Sequence, residues 1–162
     1  HVFAPLEKRM VQGVLALASR PVQTIMTPRQ EVFWIDAEDS REAILTTVRQ
    51  SPHRQFIVSR GTIDQVAGTA RKEDILEACL ADTSFDLTAA LRQPTTLTAG
   101  ASILDALNLF RGRPIEIALV VDESGALEGI VTQTDLLEAI AGDLPDAEDE
   151  KPNVKELEDD SP

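Results

Sequence analysis

Two stretches of the chain share one alternation of apolar and polar positions, and together they form an internal repeat. The segment GTARKEDILEA at 68–78 aligns with GIVTQTDLLEA at 129–139, and five of the eleven positions are identical. In each copy a short apolar strand closes on the glycine, and a helix follows it. The pattern predicts two copies of one supersecondary unit.

An amphipathic helix precedes the strands of each copy. In the first copy, Asp39 and Glu42 have the spacing of a capping box, and apolar residues follow at helical intervals. In the second copy, Ser102 and Asp105 have the same spacing ahead of a more apolar run. Both segments are therefore predicted to form helices that bury one face.

A short apolar strand, a turn and a second strand follow each of these helices. The strands are QFIVS at 55–59 and IEIALVV at 115–121, and the turns carry Gly61 and DESG at 122–125. Each copy then reads strand, helix, strand, strand, helix, a unit too small to bury both faces of its sheet alone. We expect an α/β (α+β) fold in which two pseudo-symmetric β-α-β-β-α repeats pack sheet to sheet.

The segments outside the repeats have different patterns. Apolar positions in LEKRMVQGVLALA predict an N-terminal helix that packs on the domain or on a second copy of it. Residues 143–162 hold nine acids against two lysines, together with prolines, which is typical of a linker or a disordered tail. The predicted divisions are an N-terminal helix at 1–19, repeats at 20–82 and 83–144, and the acidic tail at 145–162.

Composition limits the partners of the chain. The formal net charge is −13, the 15 Lys and Arg residues are scattered, and aromatic residues make up 4%. Such a surface repels phosphate backbones and offers few rings for base stacking along a strand, so we expect no nucleic-acid partner.

No apolar run approaches the ~20 residues of a membrane helix. Because the chain begins at His1, we expect a fragment of a longer protein, and the lone Cys79 reads as a buried thiol.

The repeated pattern resembles a tandem pair of CBS domains, or Bateman module. RPVQTIMTPR at 20–29, VVDESGALEGIVT at 120–132 and AIAGDLPDAEDE at 139–150 are similar to the cytoplasmic module of CorC/HlyC-type and TerC-type membrane proteins. The resemblance covers about residues 6–150. It implies a regulatory homodimer on the cytoplasmic side of the inner membrane, attached to the membrane domain of a larger protein for divalent metal (magnesium or cobalt) efflux or resistance. The implied ligand is AMP, ADP or ATP, alone or with magnesium.

The same resemblance implies a binding site between the repeats. Thr132 and Asp135 would contact the ribose hydroxyls, the segment at 24–27 would form a strand that frames the adenine, and the Arg54–Gln55 region would meet phosphate. The complete implied set is Thr24, Ile25, Met26, Thr27, Arg54, Gln55, Phe56, Ile130, Thr132 and Asp135. Arg71 stands where the second copy has Thr132, so that Arg71 and Asp74 mark a second, weaker site, and we expect at most one good site.

The residues alone leave two roles open for the Thr132–Asp135 pair. A carboxylate accepts from two hydroxyls, which suits a ribose diol, and a helix beginning here directs free N–H groups toward ribose or phosphate oxygens. The same spacing forms a capping box that stabilises the helix by about 1 kcal/mol without a ligand. The two roles are compatible, because a capping residue can exchange its backbone contact for a ligand hydroxyl. Arg54 likewise reads as solvated surface or as a phosphate contact.

Three possible functions are compared with the sequence. The first is a non-enzymatic nucleotide sensor, and the alternative is a purely structural dimerisation module with a degenerate, non-binding cleft. Arg71 favours the alternative, and so does Ile57, where the family usually has proline. A nucleotide hydrolase would need a P-loop or a positioned nucleophile and base, which the sequence lacks, so we expect no enzymatic activity. His53 has no triad partner, and we assign no metal site.

Overall fold

The computed structural model describes residues 4–114 and 116–143. The predicted acidic tail and Ile115 lie outside this range. The first part of the chain forms helix α1 (Pro5–Ser19) and the short strand β1 (Thr27–Pro28). The first repeat comprises β2 (Trp34–Asp36), α2 (Arg41–Gln50), β3 (Gln55–Ser59), β4 (Val66–Arg71) and α3 (Lys72–Leu80). The second comprises β5 (Thr95–Thr98), α4 (Ile103–Phe110), β6 (Ile117–Val121), β7 (Leu127–Thr132) and α5 (Gln133–Asp143).

The predicted order of strand, helix, strand, strand, helix is confirmed in both repeats. The two hairpins match residue by residue, since β3 and β4 pair from Gln55 with Arg71, and β6 and β7 pair from Ile117 with Thr132. Both hairpins shift register before their fifth pair. In each repeat the leading strand runs parallel to the first strand of the hairpin. The pseudo-symmetry therefore includes the backbone pairing as well as the sequence.

The two sheets pack against each other, as predicted. One has the order β1-β7-β6-β5 and the other β2-β3-β4. Buried residues of both sheets form a shared core between them: Val32, Ile57, Ile117, Leu119, Leu127 and Ile130. The outer faces are covered by helices, with α2 and α3 on the first sheet and α1, α4 and α5 on the second. The hairpins consequently lie between the shared core on one side and helices on the other.

Each repeat is completed by the segment that precedes the other one. Helix α1 packs on α4 and α5, Val22 is buried in the core of the second repeat, and β1 pairs with β7. Conversely, Ala90 is buried in the core of the first repeat. Arg92 exchanges two backbone hydrogen bonds with Thr69 of β4, at 3.0 and 2.8 Å. The divisions proposed at 20–82 and 83–144 stay a prediction, but the leading segments are exchanged between the halves.

Gly68 and Gly129 lie inside β4 and β7, and the prediction that these strands close on the glycines is wrong. The reason for glycine is the close approach of the exchanged segments. A Cβ on Gly68 would lie 2.6 Å from the carbonyl oxygen of Arg92. A Cβ on Gly129 would overlap the carbonyl oxygen of Thr27 and lie 2.9 Å from the sulfur of Met26.

Two local predictions need correction. The N-cap of α2 is Ser40, whose hydroxyl accepts from the N–H of Ala43 at 3.2 Å, so the capping box predicted for Asp39 and Glu42 is not formed. Asp39 instead closes a turn by donating its N–H to the carbonyl of Asp36. The strand predicted at 24–27 is also wrong except at Thr27, because Val22–Thr24 forms a 3-10 turn. The capping box of Ser102 and Asp105 is confirmed.

Two further sequence expectations concern burial. Cys79 is 3% exposed within the core of the first repeat, and burial raises the pKa of its thiol. The predicted buried thiol is therefore confirmed, and it is held in its neutral form. None of the helices in 4–114 and 116–143 has the length and apolar character needed to cross a membrane.

Candidate functional site

A cavity of about 580 Å³ opens where the two sheets meet. Its walls come from the segment Thr27–Phe33, the loop 52–55, the start of β6, the end of β7 and the first turn of α5. The volume lies in the range of small-molecule binding pockets, which is roughly 300–1,000 Å³. The pocket thus combines one loop of the first repeat with a helix N-terminus of the second.

Six of the ten residues implied by the resemblance line this cavity: Thr27, Arg54, Gln55, Ile130, Thr132 and Asp135. The other four do not. Thr24 donates its hydroxyl proton to the carbonyl of Pro21 at 2.8 Å, and Ile25 and Met26 pack on the core of the second repeat. Phe56 is 1% exposed and belongs to the core of the first repeat. The 3-10 turn at 22–24 is the reason, because it carries the segment away from the cavity before Thr27 enters the sheet.

Thr132 and Asp135 form a complete capping box at the start of α5. The hydroxyl of Thr132 accepts from the N–H of Asp135 at 3.0 Å, and Oδ2 of Asp135 accepts from the N–H of Thr132 at 2.9 Å. No hydrogen bond to Oδ1 of Asp135 is formed within 4–114 and 116–143. The structural role is therefore confirmed, and a half-buried carboxylate oxygen with acceptor capacity remains beside the cavity.

The charges around the cavity are mixed. Arg54 is exposed, and its backbone is held because its carbonyl accepts from Lys72 N–H at 2.8 Å. The corresponding residue of the second repeat is Glu116, whose carbonyl accepts from Gln133 N–H at 3.1 Å. Glu116 lines the same cavity, as do Glu31 and Asp135. Three carboxylates thus surround a pocket to which Arg54 contributes a guanidinium, which limits the anionic charge that the pocket accepts unaided.

The equivalent position in the first repeat is arranged differently. Nε of Arg71 lies 3.1 Å from Oδ2 of Asp74 and 3.5 Å from Oε1 of Glu73, and a guanidinium nitrogen of Arg92 lies 4.0 Å from the same Asp74 oxygen. Arg71 supplies no side-chain cap to α3. Asp135 of the second repeat lines the cavity, whereas its counterpart Asp74 in the first repeat is engaged by guanidinium groups. Neither Arg71 nor Asp74 lines the cavity.

An aromatic cluster that the sequence did not predict lies beside the cavity. Phe33 and His53 both line it, and their ring centroids are 5.6 Å apart. The parallel pairing of β2 with β3 places the residue before one strand next to the loop before the other, and apolar spacing along the chain does not specify this pairing. Glu31 and Glu116 were not predicted either, since they line a cavity that is assembled from residues far apart along the chain.

Metal ligation is not indicated by the arrangement of side chains. Across the described ranges, no group of three or more His, Cys, Asp or Glu side chains is placed so that it could hold a metal ion. The carboxylates of the cavity are spread around its wall.

The model of the CBS domain family matches residues 86–142. Among curated proteins, the UPF0053 inner membrane protein YoaE of Escherichia coli K12 is 39% identical over 155 residues, which are 94% of this chain and 29% of YoaE. A UPF0053 protein of Synechocystis is 35% identical over 156 residues, which are 96% of this chain and 35% of that protein. The chain spans about a third of the length of these relatives.

Solved structures show the same fold. A CBS domain of the bacterial CNNM/CorC family Mg²⁺ transporter, in complex with ATP, is 30% identical with a TM-score of 0.72, over 85% of this chain and 99% of that one. A CBS-domain pair from Klebsiella pneumoniae with bound AMP is 28% identical with a TM-score of 0.67, over 76% and 99%. Adenosine nucleotides are thus the ligands of two structural neighbours.

Proposed function

This chain belongs to the CBS domain family, as a pair of the kind found in bacterial CNNM/CorC transporters, and we propose that its cavity binds an adenosine nucleotide. One observation carries the proposal: the capped N-terminus of α5 lines a cavity of about 580 Å³ that Arg54 of the other repeat also lines. A nucleotide carries a diol and a phosphate, and the lining of the cavity includes a residue with a carboxylate, Asp135, and one with a guanidinium, Arg54. The ATP and AMP complexes of the structural neighbours support the choice of ligand.

Each part of the nucleotide is assigned to the residues of the cavity whose chemistry suits it. The ribose hydroxyls donate to Oδ1 of Asp135 and exchange hydrogen bonds with the hydroxyl of Thr132. The phosphate lies toward Arg54 and the first N–H groups of α5, where the helix dipole is positive. The apolar side chains of Val32, Ile117 and Ile130 line the remaining wall and suit the base.

The charge of the cavity bears on which nucleotide binds. Glu31, Glu116 and Asp135 oppose a triphosphate, whereas the monophosphate carries less charge into the pocket. We therefore propose that AMP binds without a metal ion and that ADP or ATP binds as its magnesium complex. Titrations of ATP with magnesium and with a chelator measure this difference, which should exceed tenfold in Kd; equal affinities would contradict it.

The proposed role is regulatory rather than catalytic. The relative YoaE is described as an inner membrane protein, and the structural neighbour belongs to a Mg²⁺ transporter. We propose that the module lies on the cytoplasmic side of the inner membrane as a homodimer and regulates divalent metal efflux by the membrane domain. A nucleotide shifts such an equilibrium only by its difference in affinity between two states.

Calorimetric titration with AMP, ADP and ATP tests the proposal directly. A ligand at 100 times its Kd should raise the free energy of unfolding by about 2.7 kcal/mol, and the melting temperature should rise with it. The structural alternative, a dimerisation module with a non-binding cleft, is favoured by the Arg71–Asp74 ion pair. Absence of heat and of any melting shift at millimolar ligand would overturn the nucleotide-binding proposal.

Asp135→Ala should weaken nucleotide binding by roughly 10- to 100-fold, because hydrogen bonds to a charged group contribute about 1.5–3 kcal/mol. The substitution also removes half of a capping box, so a control is needed. Asp105→Ala removes the same half of the capping box of α4, and Asp105 does not line the cavity. We expect similar losses of stability by thermal melting and a loss of affinity for Asp135→Ala alone.

Asp74→Ala provides a second comparison. Its carboxylate is engaged by Arg71 and does not line the cavity, so affinity should remain within about twofold of the wild type. Equal losses of affinity for Asp74→Ala and Asp135→Ala would show that the site has been assigned to the wrong repeat.

A further inference from the structure

We propose that Phe33 is the residue on which the nucleotide base stacks, with His53 and Phe56 supporting its ring. The inference rests on the proposed function and specifies how the base is read. Phe33 lines the cavity, and 45% of its surface is exposed. Such exposure of a large apolar ring beside a pocket leaves one face available to a planar ligand.

The rings form a small cluster that extends from the core to the cavity. Phe56 is buried at 1% exposure, and its centroid lies 5.9 Å from Phe33 and 6.2 Å from His53. The His53 ring meets Phe56 edge-on at 89°, and Phe33 meets His53 at 40°. Tilted and edge-on contacts at these separations are the favourable geometries for aromatic pairs. The cluster therefore anchors Phe33 to the core of the first repeat.

Of the four residues at 24–27 that the resemblance assigned to the base, three do not reach the cavity, and Thr27 lines it. Thr24, Ile25 and Met26 are held by the 3-10 turn and the second core. A purine ring in the cavity would then have Val32, Ile117 and Ile130 as apolar neighbours, together with the face of Phe33. Of these residues, Phe33 has the extended π surface that stacking requires.

The backbone on both sides of the cluster is well fixed. Phe33 directly precedes β2, in which Trp34 pairs with Ile57 of β3. His53 follows Pro52, and its N–H donates to the hydroxyl of Ser51 at 3.2 Å. Both rings are thus carried by ordered segments and lose little conformational freedom when a base stacks on them. Stacking on the face of the base favours purines in general. The selection of adenine among purines would depend on the polar residues that line the cavity.

A comparison of two ligands distinguishes the contribution of the base to binding from that of the sugar and the phosphate. AMP carries the base, whereas ribose 5-phosphate keeps the sugar and the phosphate that Asp135, Thr132 and Arg54 would bind. Stacking on one aromatic side chain changes affinity by roughly tenfold or more. Phe33→Ala should therefore weaken AMP binding by at least about tenfold and leave the weaker binding of ribose 5-phosphate unchanged.

Three further variants make the test specific. Phe33→Trp keeps an aromatic face and should retain AMP affinity, whereas Phe33→Leu keeps apolar bulk without a π face and should lose it. Leu137→Ala removes a leucine that is 62% exposed on α5 and does not line the cavity, and it should have no effect. Thermal melting of each variant without ligand checks that the fold is kept.

The outcomes distinguish this inference from the function on which it rests. AMP binding by the wild type with unchanged affinity in Phe33→Ala would overturn the stacking role alone. Full affinity in Phe33→Leu would also overturn it, because apolar contact would then suffice. Absence of AMP binding to the wild-type chain would overturn the proposed function and the stacking role together.

Discussion

At the scale of single residues, Arg71 and Thr132 show how one position determines the state of a carboxylate. The two residues occupy the same place before a helix, and an aspartate follows three residues later in each case. Arg71 forms an ion pair with Asp74, whereas Thr132 shares a capping box with Asp135. An internal cation thus engages one carboxylate, and the other keeps an oxygen for a ligand.

Thr132→Arg should convert the second repeat to the arrangement of the first. The new guanidinium would pair with Asp135, and nucleotide affinity measured by titration should fall by more than about tenfold, as for a lost charge-assisted hydrogen bond. Arg71→Thr is the matched control and should retain the wild-type affinity at the cavity. Unchanged binding by Thr132→Arg would contradict a direct role for the end of β7.

The residues of the site differ in how far the sequence could predict them. The capping box of Thr132 and Asp135 was predicted from their spacing, because capping depends on residues three positions apart, whereas their ligand role came from the resemblance. Phe33 could not be found in this way, since its neighbours His53 and Phe56 are about twenty residues away along the chain. Its place at the cavity follows from strand pairing, which sequence periodicity does not specify.

At the scale of elements, the close antiparallel pairing of β1 with β7 requires a strand position without a side chain at Gly129. Gly129→Ala would push Thr27 and Met26 away from β7 and displace part of the cavity wall. We expect a loss of about 1–3 kcal/mol in the free energy of unfolding, as in other overpacked sites, together with weaker nucleotide binding. Thermal or denaturant unfolding and titration of the same sample measure both effects.

Gly68→Ala is the corresponding change in the first repeat. It meets the carbonyl of Arg92, which does not line the cavity, so stability should fall while the affinity of the folded protein stays near wild type. If both glycine variants lost affinity equally, β1 would have no specific part in shaping the site.

The elements were predicted well where local pattern decides them. Both helix-hairpin-helix units follow from apolar spacing and turn residues, and β3 has the predicted bounds. The 3-10 turn at 22–24 was missed because distant backbone groups hold it, including the bond from Val22 N–H to the Ala101 carbonyl at 2.7 Å. The N-cap of α2 was placed one residue early, since Asp39 and Ser40 are both good capping residues.

At the scale of the whole molecule, the core between the sheets joins the two repeats into one unit. Ile57 is 0% exposed in this core and lies in the middle strand of its sheet. Proline, usual at this position in the family, would remove a backbone donor, whereas isoleucine keeps it and adds apolar contact. The departure from the family pattern is therefore compatible with a well-packed interface.

Ile57→Ala should lower the free energy of unfolding by about 2–5 kcal/mol through the cavity that it leaves. Because both sheets share this core, the unfolding of the two repeats should remain one transition. The single Trp34 packs at the same interface, so its fluorescence and the far-ultraviolet circular dichroism should change together in denaturant. Two separate midpoints would show that the repeats unfold independently.

The exchange of leading segments bears on how such a chain arose. The segment before the first repeat closes the second, and the segment before the second closes the first. A single ancestral copy with its own leading segment could have reached the same pairing only by giving that segment to another copy and receiving one in return. Gene duplication and fusion would then have turned an association between two chains into a fold within one, while each half kept its dependence on the other.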